Sequence, residues 1–214
     1  MPKGFTDREK DLIRARLKEN GRKTFSAYGL RKTNVEDLTR AAGISKGAFY
    51  IFYDSKEALF MDVVEDVERE FRERVLAEFD RPGSTPRERL KHVFQTAFSI
   101  WKSMPILRQI TQLEYALLLE KMPPEKVQEH LRSDRDFIDR LIQKGKEAGI
   151  FIEVGGDQIA GLMNAIFFVS LHEDDFGPGA YPGTIDLLLE LISAYCVGEV
   201  TVETLENARR GESP

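Results

Sequence analysis

The strongest constraint on this chain is a stretch of about twenty residues in which two short helical patterns are separated by one glycine. Thr33-Asn34-Val35-Glu36 places a hydroxyl and a carboxylate three residues apart, the spacing of a capping box, ahead of the apolar Leu38 and Ala42. Gly43 stops that helix, and Ser45 caps a second one expected over Lys46 to Phe52. The small Ala41 and Ala42 let the two helices approach, and Ile44 plugs the space between them. Such a helix-turn-helix presents one side of its second helix, here Lys46, Gly47, Ala48 and Tyr50. Free N–H groups and the positive dipole end at that helix start suit a phosphate or base edges. Lys46 adds charge, Gly47 and Ala48 permit close approach, and the Tyr50 hydroxyl can bond a phosphate while its ring packs.

The rest of the sequence also reads as helices, with no segment that requires a strand. Thr6-Asp7-Arg8-Glu9 is a capping box for a first helix running to about Tyr28 and ended by Gly29. After Asp54-Ser55-Lys56-Glu57, the residues Leu59, Phe60, Val63, Val64, Val67, Phe71, Val75 and Phe79 keep a 3–4 spacing, predicting a long helix from 55 to 79. Helices follow along Leu90–Trp101, from Ile106 to about Leu119, and from Val127 to about Gly149. Gln158–Leu171 and Ile185–Val197 are apolar nearly all round, which calls for burial on more than one side, one of them against a second copy of the chain. The intervening Glu173–Thr184, with three Gly and two Pro, reads as an irregular loop, and Val202–Arg210 as a short polar helix.

Charge is unevenly spread. The first 60 residues hold 13 Lys+Arg against 8 Asp+Glu, and the remainder 18 against 28, for a net of −5 over 214 residues. A basic first quarter on an acidic body fits an anion-binding module joined to something else. One cysteine, Cys196, excludes an internal disulfide framework and a Cys-rich zinc module, and fits a reducing compartment. No apolar stretch follows the first residues, so no signal peptide is expected. The most apolar run, Ile159–Leu171, is 13 residues long and contains Asn164, too short to span a bilayer. No phosphate loop, His-Glu-x-x-His pair or Gly-x-Ser-x-Gly elbow occurs. His172-Glu173-Asp174-Asp175 is contiguous and cannot easily converge on a metal, and it reads as a solvated loop.

The segment Thr33-Asn34-Val35-Glu36-Asp37-Leu38 through Ala42-Gly43-Ile44-Ser45-Lys46-Gly47-Ala48-Phe49-Tyr50-Ile51-Phe52-Tyr53-Asp54-Ser55-Lys56-Glu57-Ala58-Leu59 resembles the DNA-binding signature of TetR-type transcriptional regulators. The resemblance extends loosely back to Leu17, Phe25 and Gly29, about a quarter of the chain. The sequence departs from the family pattern at Asn20-Gly21 and Thr24, where Ala-Ala and Leu are usual. Glycine inside a helix costs about 1 kcal/mol relative to alanine, so a bent or loosely packed first helix is expected. Ile51 stands where a polar or aromatic residue is frequent.

The resemblance implies an all-α fold of about nine to ten helices, with a helix-turn-helix DNA-binding domain over residues 1–54 and a larger effector-binding and dimerisation domain over 55–214. It implies DNA contacts from Thr33, Asn34, Ser45, Lys46, Gly47, Ala48 and Tyr50, phosphate binding by Lys56, and core roles for Leu38, Ile44, Phe49 and Tyr53. The implied partners are a double-stranded, near-palindromic operator, a small hydrophobic effector and a second copy of the chain, with no membrane, metal or cofactor. The implied activity is that of a cytoplasmic repressor released by its effector. Candidate chamber residues in the body are Phe98, Trp101, Met104, Tyr115, Phe137, Met163, Asn164, Phe167 and His172. A helical interaction protein or an enzyme body would account for the acidic body but not for residues 33–57 and their positive charge.

Overall fold

The computed structural model describes residues 5–81, 85–108, 118–150, 155–177 and 179–200, and these contain helices and no strand. The helices are α1 (Asp7–Lys32), α2 (Val35–Ala42), α3 (Lys46–Phe49), α4 (Lys56–Ala77), α5 (Pro86–Lys102), α6 (Pro105–Arg108), α7 (Pro124–Glu147), α8 (Gly156–Leu171) and α9 (Ala180–Cys196). A 3₁₀ turn, Glu78–Asp80, follows α4. The fold is all-α, as the resemblance implies. The expected helix over 202–210 lies outside the described residues, as do 109–117 of the helix expected from Ile106 to Leu119.

Most boundaries follow from local chemistry. Thr6 and Glu9 form the reciprocal capping box that starts α1. Gly29, at φ 73° and ψ 170°, breaks the helical path after Tyr28, and one further turn follows to Lys32. Pro124 opens α7, where a missing N–H costs nothing.

Two boundaries differ from the sequence reading. The α-helix after Ser45 ends at Phe49 rather than Phe52. The chain then continues in turns whose amides bond three residues back, Ile51 to Ala48 at 3.1 Å and Phe52 to Phe49 at 2.9 Å. The last helix begins at Ala180, five residues before Ile185, so part of the expected irregular loop is helical. Pro182 falls in its first turn, where the helix has no use for the amide that proline lacks. Within that loop Glu173–Asp175 forms a 3₁₀ turn.

The chain divides into two compact units, one of residues up to Glu70 with Trp101–Leu131, the other of Phe71–Ile100 with residues from Arg132 onward. In the first, Leu17, Phe25, Leu38, Phe49, Leu59 and Phe60 are almost fully buried. The expectation of a loose first helix is corrected here. Gly21 is buried, and a Cβ on it would lie 3.2 Å from the Phe25 ring and 3.3 Å from a Val63 methyl, with Leu59 at 3.5 Å. Its missing side chain is what lets α1 and α4 pack closely. Phe25 and Phe60 meet edge to face at 4.9 Å between centroids.

In the second unit, Leu90, Val93, Phe94, Ala97 and Ile100 of α5 are buried with Leu141, Ile159, Ile166, Ile185, Leu189 and Cys196. At the polar edge of α5 and α9, Arg87 pairs with Glu190 and Glu199, and Lys91 with Asp186 and Glu190. The start of α8 lies close on α7, since a Cβ at Gly156 would stand 3.0 Å from Ile142 and 3.1 Å from Ile138. No helix among the described residues is long and apolar enough to cross a membrane.

Candidate nucleic-acid interface

Residues 34–53 fold as two short helices around a left-handed glycine. Asn34, not Thr33, caps α2: its Oδ1 accepts from the Asp37 amide at 2.9 Å. Thr33 instead turns inward, 2% exposed, and its hydroxyl donates to the Gly29 carbonyl at 2.8 Å. Backbone direction decides between two adjacent cap-forming residues, and the sequence pattern alone does not contain it.

Gly43 ends α2 at φ 73° and ψ 30°, and its amide points back to the Arg40 and Thr39 carbonyls. A Cβ there would meet no atom within 4 Å, so glycine is required by the backbone angle and not by crowding. Ser45 caps α3, its Oγ accepting from the Ala48 amide at 3.2 Å.

Beneath this surface Leu38 and Phe49 are fully buried and Tyr53 nearly so, as expected of core, whereas Ile44 is only half-buried. Phe52 is also buried, with the Phe5 ring 5.8 Å from its own. Above it, Asn34, Ser45, Lys46 and Gly47 are exposed and Ala48 is half-buried. Tyr50 is 52% exposed and Ile51 61%. Open space surrounds the Gly47 Cα, leaving room for another molecule's backbone.

The cations of this surface are not equivalent. The Lys46 ammonium lies 2.6 Å from a Glu36 carboxylate oxygen. That bond raises the lysine's pKa and lowers the glutamate's. Lys56 is half-buried and donates to the backbone carbonyls of Leu30 at 2.9 Å and Thr33 at 2.8 Å. Two of its three N–H groups are therefore spent inside the protein.

The first helix, α1, is fastened to α4 by polar contacts that motif reading did not anticipate. Lys18 of α1 bridges Asp62 at 2.9 Å and Asp66 at 2.5 Å. Arg22 makes two parallel bonds to Glu70, at 2.6 and 2.9 Å. The sequence does carry a signal for them. Lys18 and Arg22 are four residues apart, and so are Asp62, Asp66 and Glu70, which is one facing stripe on each helix.

Of the expected chamber residues, Trp101 and Met104, in the first unit, are buried, while Phe98, Phe137, Met163 and Phe167, in the second, are half-buried. Asn164 is exposed. So is His172, whose Nδ1 lies 3.0 Å from Asp175. Tyr115 lies outside the described residues. An apolar groove of about 600 Å³ runs along α8 and α9, lined by Gln158, Gly161, Leu162, Leu191, Ile192, Tyr195 and Val200. None of the eight expected chamber residues that the structure describes lines it. On the same two helices Phe168, Leu187 and Leu191 are 50–58% exposed. Isolated apolar residues at a surface need no explanation, but Leu191 both lines the apolar groove and is half exposed.

Residues 19–63 match the model of bacterial regulatory proteins of the tetR family. The chain is 24% identical over 121 residues to the fatty acid metabolism regulator protein of Bacillus subtilis, covering 56% of this chain and 61% of that one. It is 29% identical over 82 residues to the HTH-type transcriptional repressor DhaR of a Mycobacterium species, covering 38% and 41%. It thus spans about two fifths to three fifths of these relatives' length. A crystal structure of a TetR-family transcriptional regulator from Pectobacterium atrosepticum superposes with a TM-score of 0.62 at 25% identity, over 90% of this chain and 98% of that one. The relatives are regulators rather than enzymes.

Proposed function

Because the chain belongs to the TetR family of bacterial regulatory proteins, we propose that it is a ligand-responsive transcriptional regulator that binds operator DNA as a homodimer in the cytoplasm. The observation that carries this reading is the exposed edge of the helix-turn-helix. Asn34, Ser45, Lys46, Gly47, Ala48 and Tyr50 form its outward side, over a core of Leu38, Phe49 and Tyr53. Thr33 and Lys56 support this edge from within.

In this reading α3 enters the major groove, and the Tyr50 hydroxyl bonds a phosphate. Two copies related by a two-fold axis place their recognition segments about 34–36 Å apart, on a near-palindromic site. The apolar groove of α8 and α9 is the surface by which the copies join. An isologous interface needs one self-complementary patch, and this one offers a groove with the half-exposed Leu191 in its lining.

The effector is a small hydrophobic molecule held in the body, where Phe98, Phe137, Met163 and Phe167 are half-buried in the free chain. A relative that regulates fatty acid metabolism makes fatty acyl compounds the first to try. Effector and operator weaken each other's binding by the same factor, so the ligand releases the protein from its DNA; the family resemblance makes the bound state a repressing one.

The test is fluorescence anisotropy with a labelled duplex from the DNA upstream of the protein's own coding sequence, against a scrambled duplex of equal length. Tighter binding to the upstream duplex is expected. Equal binding to both would remove the operator reading, and no binding to either would remove the DNA-binding reading altogether.

A further inference from the structure

We propose that Arg31 and Lys32, on the last turn of α1, are the residues that anchor this chain to the DNA phosphate backbone, and that Lys56 is the positioning residue that holds their turn in place. The proposal rests on the DNA-binding reading and assigns that surface its phosphate contacts.

Between Gly29 and Phe60 the chain carries five cations: Arg31, Lys32, Arg40, Lys46 and Lys56. Three are already engaged. Lys46 is held at 2.6 Å by Glu36, and Arg40 stands 3.5 Å from Asp37. Lys56 is bound to two carbonyls. Arg31 and Lys32 are exposed and have no side-chain partner among the described residues. A phosphate approaching Lys46 must displace the Glu36 carboxylate or sit a few ångströms from it, and either costs free energy. Arg31 and Lys32 demand no such exchange, so they release their share of the DNA counterions in full.

The turn that carries them is unusually well held. Gly29 breaks the helix at φ 73°, and the Thr33 hydroxyl donates to the Gly29 carbonyl at 2.8 Å. The Lys56 ammonium grips the Leu30 and Thr33 carbonyls, one on each side of the Arg31-Lys32 pair. Three carbonyls around two exposed cations are thereby fixed, which lowers the ordering cost that flexible basic side chains carry into a complex. The turn also stands at the interface. Asn34, two residues on, caps α2, and Glu36 in the first turn of α2 reaches Lys46 at the start of α3.

The test measures anisotropy of a fluorescein-labelled 24-base-pair duplex of random sequence, with the full-length protein, across a series of sodium chloride concentrations. Each of Arg31→Gln and Lys32→Gln is expected to flatten the slope of log K against log salt by about 0.9 for every phosphate that a protomer no longer neutralises. Both side chains are exposed, so the melting temperatures should stay at the wild-type value. Lys23→Gln, which removes an exposed α1 cation already paired with Glu19, controls for net charge and is expected to leave the slope unchanged. Lys56→Met is expected to weaken binding in the wild-type background and to add nothing in an Arg31→Gln/Lys32→Gln background. A purely structural lysine would add its loss in both.

A wild-type slope in the Arg31→Gln/Lys32→Gln variant, or a slope flattened equally by Lys23→Gln, overturns the proposal while DNA binding stands. Absence of any salt-dependent duplex binding by the wild type overturns the DNA-binding reading, and this proposal with it.

Discussion

The hydroxyl of Tyr53 donates to one carboxylate oxygen of Asp62 at 2.6 Å, while the Lys18 ammonium lies 2.9 Å from the other. One aspartate on α4 thus joins the segment after the recognition helix to α1. Burial, followed by the bond to Asp62, raises the Tyr53 pKa, so the phenol remains a donor throughout the physiological range. Tyr53→Phe keeps the ring and removes only the donor. Because Lys18 still serves Asp62, a loss of about 1–2 kcal/mol is expected, at the lower part of the range for bonds to charged groups. Urea unfolding checks this, and an unchanged midpoint would show that the bond contributes nothing.

Gly21→Val is expected to destabilise by about 1–3 kcal/mol, because its methyl groups enter space held by Phe25 and Val63. On helix propensity alone the replacement of glycine would stabilise, so the sign of the change in melting temperature decides whether packing or propensity governs this position.

The α1–α4 ion pairs set an acid limit. The hydrogen bond from Arg22 holds the Glu70 carboxyl below its ordinary range. Burial pushes Asp66 up, but the bonds from Lys18 and Arg69 outweigh it and leave its pKa lowered. A carboxyl whose pKa is lower folded than unfolded stabilises fully above the unfolded value, about 4, and loses that stabilisation as pH falls through the folded one. Melting temperature should therefore drop as pH is lowered below about 4. Arg22→Gln/Glu70→Gln should make the drop shallower. An equally steep fall in that variant would assign the acid sensitivity elsewhere.

Cys196 is fully buried, and burial pushes its thiol up to about 12. It should not react with a disulfide reagent at pH 8 until the protein unfolds, since the thiolate is the reactive form. Its pKa is raised on folding, so its contribution to stability is constant below the unfolded value of about 8.5 and declines as pH rises towards the folded one. Rapid labelling of the native protein at pH 8 would contradict this burial.

Leu191→Arg, at a side chain 50% exposed beside the groove of α8 and α9, should convert a dimer to a monomer in sedimentation velocity at micromolar concentration. Operator affinity should fall with it, because one half-site contributes far less than two linked ones. A dimer that survives the substitution would move the interface off this patch.

Where α1 starts, where α2 stops and which serine caps α3 were legible in the sequence, because each depends on groups within about four residues of one another. Thr6 with Glu9, the left-handed Gly43 and Ser45 need no distant partner. The helix-turn-helix followed from the same local rules, and so did the exposure of Asn34, Ser45, Lys46, Gly47 and Tyr50, but not the burial of Thr33. The start of α9 did not: Pro182 and its neighbouring glycines read as loop, although a first helical turn accepts proline.

The sequence by itself determined the helices, the turn between α2 and α3, and the residue types available at the surface of that turn. Tertiary structure alone decided what the charges that pair beyond one helical turn do. Lys46 meets Glu36 across 10 residues, Lys56 reaches Leu30 across 26, and Lys18 finds Asp62 across 44. Such pairings depend on how helices cross and where side chains then point, and a charged group is equally well solvated in many arrangements until packing selects one. The same selection buried Thr33 and left Arg31 and Lys32 exposed, three neighbours in sequence with different roles in the folded chain.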